Sequence, residues 1–182
     1  MIITIEKAKE LVSFPGWTDE KIRMKLLAVE QTIRAYTNNN FLDRGFRIQA
    51  FIRAGVFMSE SLIPFSVDDT IQTIGSRLNN GLFTVSTVDD TTFMVNEETR
   101  DEDAVVVAKV VYPADVIACA VNLLEWEVNN RGKVGIQSET LSRHSVTYFN
   151  MDGENSIMGF PKSLLGFLRP YRKARFGRGV DV

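Results

Sequence analysis

The hydrophobic period of this chain changes twice, and that constrains its fold more than any other feature. Apolar residues recur at helical spacing up to the Asn38-Asn39-Asn40 run, alternate with a period of two from Phe46, and return to helical spacing after Pro113. In the first part, Thr4 predicts the N-cap of a short helix through about Val12, with Ile5, Ala8 and Val12 on one stripe and Phe14-Pro15-Gly16 as its stop. Thr18 predicts the cap of a longer helix. Asp19 and Glu20 suit its first turn, and Ile22, Leu26, Val29, Ile33 and Tyr36 form its apolar stripe.

In the middle, Phe46, Ile48, Ala50 and Ile52 alternate with Arg47, Gln49, Phe51 and Arg53, as a strand with one buried face requires. Further strands are expected at Thr70 to Ile74, Leu82 to Val88, Thr92 to Val95 and Ala104 to Val111. Turn-forming clusters such as Asn79-Asn80-Gly81 and Asp89-Asp90 separate them. Short strands at this spacing predict a small sheet or partly closed barrel.

Pro113 suits the first turn of a third helix, apolar over a wide arc through Val116, Ile117, Ala120, Val121, Leu123, Leu124 and Val128, with Arg131-Gly132 as its end. A strand-like stretch from Thr140 to Phe149, a loop over Asp152 to Gly159 and a short last helix from Pro161 to Leu168 complete the chain's elements. Neither flank buries its apolar stripes alone, so the helices of both must pack together. The expected class is α+β: a small helical bundle built from both chain flanks, 1–43 and 112–182, with an inserted antiparallel β-rich, barrel-like module at 44–111.

At 182 residues, 45% hydrophobic and 24% charged, the chain has room for one core and a small module. A net charge of −2 argues against a surface given over wholly to nucleic acid. Cys119 is the single cysteine, which excludes an intrachain disulfide and fits a reducing site of synthesis. Acidic residues in the first turns and the lack of a long apolar run predict neither export by the usual route nor a membrane span.

The chemistry-bearing residues are sparse. His144, the sole histidine, has no nucleophile-elbow serine to serve, and is expected on a polar strand. Cys119 falls on the apolar arc of the third helix and reads as a core thiol. The carboxylates Glu97, Glu98, Asp101, Glu102 and Asp103 lack the Gly-marked turn of a cation loop and read as a solvated acidic loop. Neither a dinucleotide-binding glycine pattern nor a phosphate-cradling Gly-Lys-Ser/Thr occurs. A non-enzymatic protein without cofactor or metal is therefore expected.

The C-terminus is more distinctive. Arg169, Arg172, Lys173, Arg175 and Arg178 interleave with Tyr171 and Phe176 and meet no acidic residue before Asp181. Arginine with aromatics is the residue set of protein interface hot spots, and also that of single-strand nucleic acid binding. Arg169, Tyr171, Arg172, Lys173, Arg175, Phe176 and Arg178 are thus the candidate partner-binding residues, with Pro170 expected to break the helix and send the tail out in extended form.

The order of a short helix, a long helix ending near Tyr36, a central helix near Ala118 to Asn129, the element Ser-Glu-Thr-Leu-Ser-Arg-His-Ser-Val-Thr-Tyr (138–148) and the ending Leu-Arg-Pro-Tyr-Arg-Lys-Ala-Arg-Phe resembles the head-tail connector (adaptor, head completion) proteins of long-tailed double-stranded DNA bacteriophages. The likeness covers both flanks. It implies a virion protein, made in the bacterial host cytoplasm, whose copies form a ring, typically a dodecamer, beneath the portal. Such a ring binds the portal protein on one side and the next tail adaptor or completion protein on the other. Packaged DNA passes through its channel without sequence-specific contact. The β insertion departs from the smaller members of that family. The competing expectation is a small nucleic-acid-binding module that uses the β insertion and the basic arm, although acidic turns between the strands suit it poorly.

Overall fold

A computed structural model describes residues 1–133, 138–141, 144–147 and 154–174. The chain divides into two compact units: residues 2–39 with 113–182, and residues 40–112 with Met1.

The second of these is a closed six-stranded antiparallel barrel. Its strands are β1 (Leu42–Arg53), β2 (Val56–Met58), β3 (Thr70–Ile74), β4 (Leu82–Val88), β5 (Thr92–Val95) and β6 (Glu102–Val110), in the order β1-β2-β5-β4-β3-β6. Alternation along β1 sends Ile48, Ala50 and Ile52 inward, where they meet Phe57, Ile71, Val85, Phe93 and Val107. Phe57 stacks on Phe93 at 4.6 Å between ring centroids, with Phe83 and Phe65 edge-on at 6.2 and 5.5 Å. Each such fully buried side chain contributes about 1.5–3 kcal/mol relative to exposure.

The helical unit holds α1 (Ile5–Leu11), capped by the Thr4 hydroxyl, and α2 (Asp19–Thr37), capped by Thr18. Asn38 closes α2 in the left-handed region at φ 49°, a conformation asparagine tolerates better than most residues. In α3 (Ala114–Asn130), Pro113 takes the N-cap position and Arg131 the C-cap, so the helix ends where expected, and a 3-10 turn, Arg131–Lys133, follows without a left-handed glycine. Strands β7 (Ser138–Leu141) and β8 (His144–Thr147) pair antiparallel, with His144 opposite Leu141. Among the described residues no helix is long and apolar enough to cross a membrane.

Three expectations need correction. The helix predicted from Pro161 to Leu168 does not form: Ser156–Ile157 (β9) and Phe160–Pro161 (β10) pair as a two-residue-strand hairpin, and turns lead into a 3-10 helix, Gly166–Tyr171, which contains Pro170. The tighter 3-10 winding suits a short segment and accommodates the proline that an α-helix interior rejects. Residues 171–174 do not leave the body, because they are hydrogen-bonded to the end of α2.

The acidic stretch 97–103 is not simply solvated. Glu102 opens β6 and accepts from Ser76 Oγ at 2.6 Å, the Arg77 amide at 2.7 Å, the Leu78 amide at 3.4 Å and Asn79 Nδ2 at 2.8 Å. Glu97 accepts from the Thr84 amide at 2.8 Å, and Asp101 from the Ala54 amide at 2.8 Å. Glu102 and Asp101 thus staple two of the barrel's turns to the start of its last strand, and Glu97 fastens the chain after β5 to β4. Asn79 completes the staple from a buried position, exchanging bonds with the Arg100 amide and carbonyl at 2.7 and 2.9 Å.

The bond from the Ser76 hydroxyl, followed by that from the Arg77 amide, holds the Glu102 carboxyl down at about 2. A carboxyl depressed in the folded state adds stability that is complete above its unfolded value of 4.5 and is lost as pH falls through about 2. The E102Q variant is therefore expected to melt below the wild type at pH 7, with the two melting temperatures converging between pH 4.5 and 2. Circular dichroism across that range would detect it, and parallel curves would remove Glu102 as the cause.

Candidate interaction surface at the C-terminal segment

The end of α3 fixes where the C-terminal segment begins. Glu127 lies on the buried stripe of α3 beside Leu123 and Leu124, and its carboxylate is shared by Lys25 of α2, at 3.1 Å, and Arg131, at 2.5 Å. Burial opposes ionisation of Glu127, but the bonds from Arg131 and Lys25 outweigh it and hold the carboxyl below its ordinary value. The Arg131 guanidinium also donates to the Gly159 carbonyl at 3.0 Å and stands over the rings of Trp126 and Phe160, at 4.6 and 5.1 Å. One arginine thus seats the β9–β10 hairpin against α3.

From that hairpin the chain crosses α3. The Cys119 thiol donates to the Leu164 carbonyl at 3.3 Å, and its pKa is pushed up to about 11 by burial and then by the nearby Asp115 charge. A thiol so placed stays protonated at neutral pH and packs as a small core residue. Leu165 and Leu168 are fully buried, while Phe167 between them is 61% exposed.

Tyr171 then ties the segment to the first turn of α3, its hydroxyl 2.7 Å from both Asp115 oxygens, a bond that raises the phenol's pKa. Four contacts hold residues 171–174 to the C-terminus of α2. Asn39 Nδ2 donates to the Tyr171 carbonyl at 3.3 Å and Asn38 Nδ2 to the Ala174 carbonyl at 3.0 Å. The Lys173 amide donates to the Thr37 carbonyl at 2.8 Å, and the Arg172 guanidinium lies 5.2 Å from the Tyr36 ring centroid. A helix C-terminus offers carbonyls without intrahelical donors and a negative dipole end, so a basic segment is a fitting partner.

Of the sequence-predicted residues, Arg169, Arg172 and Lys173 are exposed on this anchored segment, and Tyr171 is an anchor. Arg175, Phe176 and Arg178 lie outside the described residues. Sequence reasoning missed Phe167, whose exposure beside buried Leu165 and Leu168 reflects a 3-10 winding that helical spacing does not reveal. The result is an exposed aromatic and three basic side chains held by buried neighbours, the arrangement of an interface anchor. Among the described residues no cluster of His, Cys, Asp or Glu is arranged to hold a metal ion. No protein-family model and no curated protein matches this chain.

Replacing Glu127 by glutamine is expected to destabilise the protein by about 1–2 kcal/mol at pH 7, less than a fully buried ion pair because Lys25 and Arg131 reach solvent. The loss should shrink as pH falls below the ordinary carboxylate value, where the wild-type residue itself protonates. Urea denaturation monitored by tryptophan fluorescence measures both effects.

Proposed function

We propose that this protein is a structural virion subunit whose copies form a ring joining the portal of a tailed-phage head to the tail, with the DNA channel running through the ring. The observation that carries the reading is the anchored C-terminal segment. In the stretch whose sequence resembles the connector ending, Tyr171 and Lys173 are tied to Asp115 and Thr37, while Phe167, Arg169, Arg172 and Lys173 face outward. A surface whose backbone is held before a partner arrives loses less entropy on binding, as a docking site requires. The helical flanks that bear the resemblance form one compact unit, which supports reading them together as the connector body.

The reading makes the portal protein of the same phage the partner to test. Light scattering of the mixture is expected to show a discrete complex, and reversing two exposed charges, Arg169→Glu with Lys173→Glu, should weaken it by about tenfold or more. Both side chains are exposed, so the melting temperature should move by no more than about 2 °C. Absence of a portal complex, with retention on single-stranded DNA at moderate salt, would replace the connector by a nucleic-acid-binding module.

A further inference from the structure

A groove of about 460 Å³ crosses the outer wall of the barrel. Its floor belongs to β1 and β6. Gln49 stands opposite Val106 and Ala50 opposite Val105, but the next aligned pair is Ile52 with Glu102, so β6 carries one residue more than β1 over this stretch. That bulge turns both Asp103 and Ala104 to solvent opposite Phe51. The small Ala104 side chain keeps the floor low. Met58 to Ser61 wall it beside β1, and Ile74 and Gly75 wall it beside β6, where β3 turns away at a glycine with φ 69°. The lining joins apolar Phe51, Met58, Ile74 and Val106 to the carboxylates of Glu60 and Asp103.

Charge is divided unevenly along the chain. Residues 40–112 carry eleven acidic and six basic side chains, a net charge of −5, whereas residues 169–178 carry five basic side chains and no acidic one. We infer that the groove receives the Arg175-Phe176-Gly177-Arg178 segment of a neighbouring copy, the aromatic ring against Phe51 and Met58 and the guanidinium groups against Glu60 and Asp103. This rests on the ring reading proposed above. An aromatic between two arginines complements an apolar floor between two carboxylates in both shape and sign. The segment comes directly after Ala174, which Asn38 holds at the end of α2, and its four residues span up to about 13 Å, so the groove of the neighbouring copy must lie close to that anchor. Asp103 already pairs with Arg53, but its side chain is 90% exposed, so a second cation can reach it. A tail of one copy in the groove of the next is a heterologous contact, the kind that generates rings.

The test titrates a fluorescent peptide of residues 174–182 into the full-length chain bearing R175E/R178E, which disables its own segment, and reads anisotropy. Saturable binding is expected. It should weaken about tenfold when the receptor also carries E60K/D103K, and return when a peptide with R175E/R178E meets a receptor that carries E60K/D103K with its own Arg175 and Arg178 intact. Ala104→Phe, which fills the floor without changing charge, should also abolish binding, and melting curves verify that each receptor is folded. Absent binding, or binding indifferent to both groove variants, overturns the inference. If a discrete portal complex still forms in that case, the ring reading survives alone. Peptide binding that obeys the expected pattern with no portal complex leaves the groove assignment standing and removes the connector.

Discussion

Pairing of β1 with β6 returns the chain to the place it left. Leu42 lies opposite Val110, the Val111 amide donates to the Phe41 carbonyl at 2.9 Å, and the rings of Phe41 and Tyr112 meet at 5.0 Å between centroids. A module whose first and last strands are neighbours in one closed sheet adds almost nothing to the separation of the segments on either side. The helices before Asn40 and after Tyr112 can therefore share one core as though the intervening residues were a short loop, and loop-closure entropy, which grows only with the logarithm of length, opposes this weakly. Helix α2 depends on that arrangement directly. Its stripe of Ile22, Leu26, Val29 and Ile33 is buried, and the residues that share its unit come largely from beyond the barrel.

Carboxylates do the fastening in both units, by two different means. In the barrel, Glu102 and Asp101 accept from backbone amides of turns, and Glu97 from an amide of β4. One carboxylate oxygen that satisfies loop donors replaces the ladder bonds a turn cannot make. In the helical unit, Glu127 accepts from cations instead, and Arg131 passes the fastening on to Gly159 and Phe160. The first device positions loops relative to a strand. The second positions the β9–β10 hairpin relative to a helix, while Thr37, Asn38, Asn39 and Asp115 hold the residues that follow.

Much of the fold was legible in the sequence. The caps Thr4 and Thr18, the strands Thr70–Ile74, Leu82–Val88 and Thr92–Val95, and the α+β class with its barrel-like module are all dictated by period and turn chemistry. The elements that escaped did so for local reasons. Strand β2 is three residues long and is reached through Ala54-Gly55, both at positive φ. Alanine is a poor turn signal there, and it is held by a bond from its amide to Asp101, forty-seven residues away. Helical spacing puts Glu127 on the Leu123 and Leu124 face with Arg131 one turn on, but Lys25, the second cation that admits it to the interior, meets it only in three dimensions. The last helix failed because helical spacing from Pro161 to Leu168 competes with a hairpin and a 3-10 turn that only packing against α3 selects.

The candidate surface was legible in part, since basic and aromatic residues stand in plain sight at 169–178. Their division of labour was not. Tyr171 and the Lys173 backbone serve the body, while the Arg169 and Lys173 side chains are exposed, and only the bonds to Asp115 and Thr37 distinguish the two sets. The charge of the whole chain hides a similar division. A net −2 looks neutral enough to be uninformative, yet it is the sum of a −5 barrel module and a remainder of fifteen basic against twelve acidic side chains. Opposite signs carried on separate modules of one chain repel like modules of neighbouring copies and attract unlike ones, which favours head-to-tail over face-to-face association. In the proposed ring, that bias would select the order of contacts before any close packing forms.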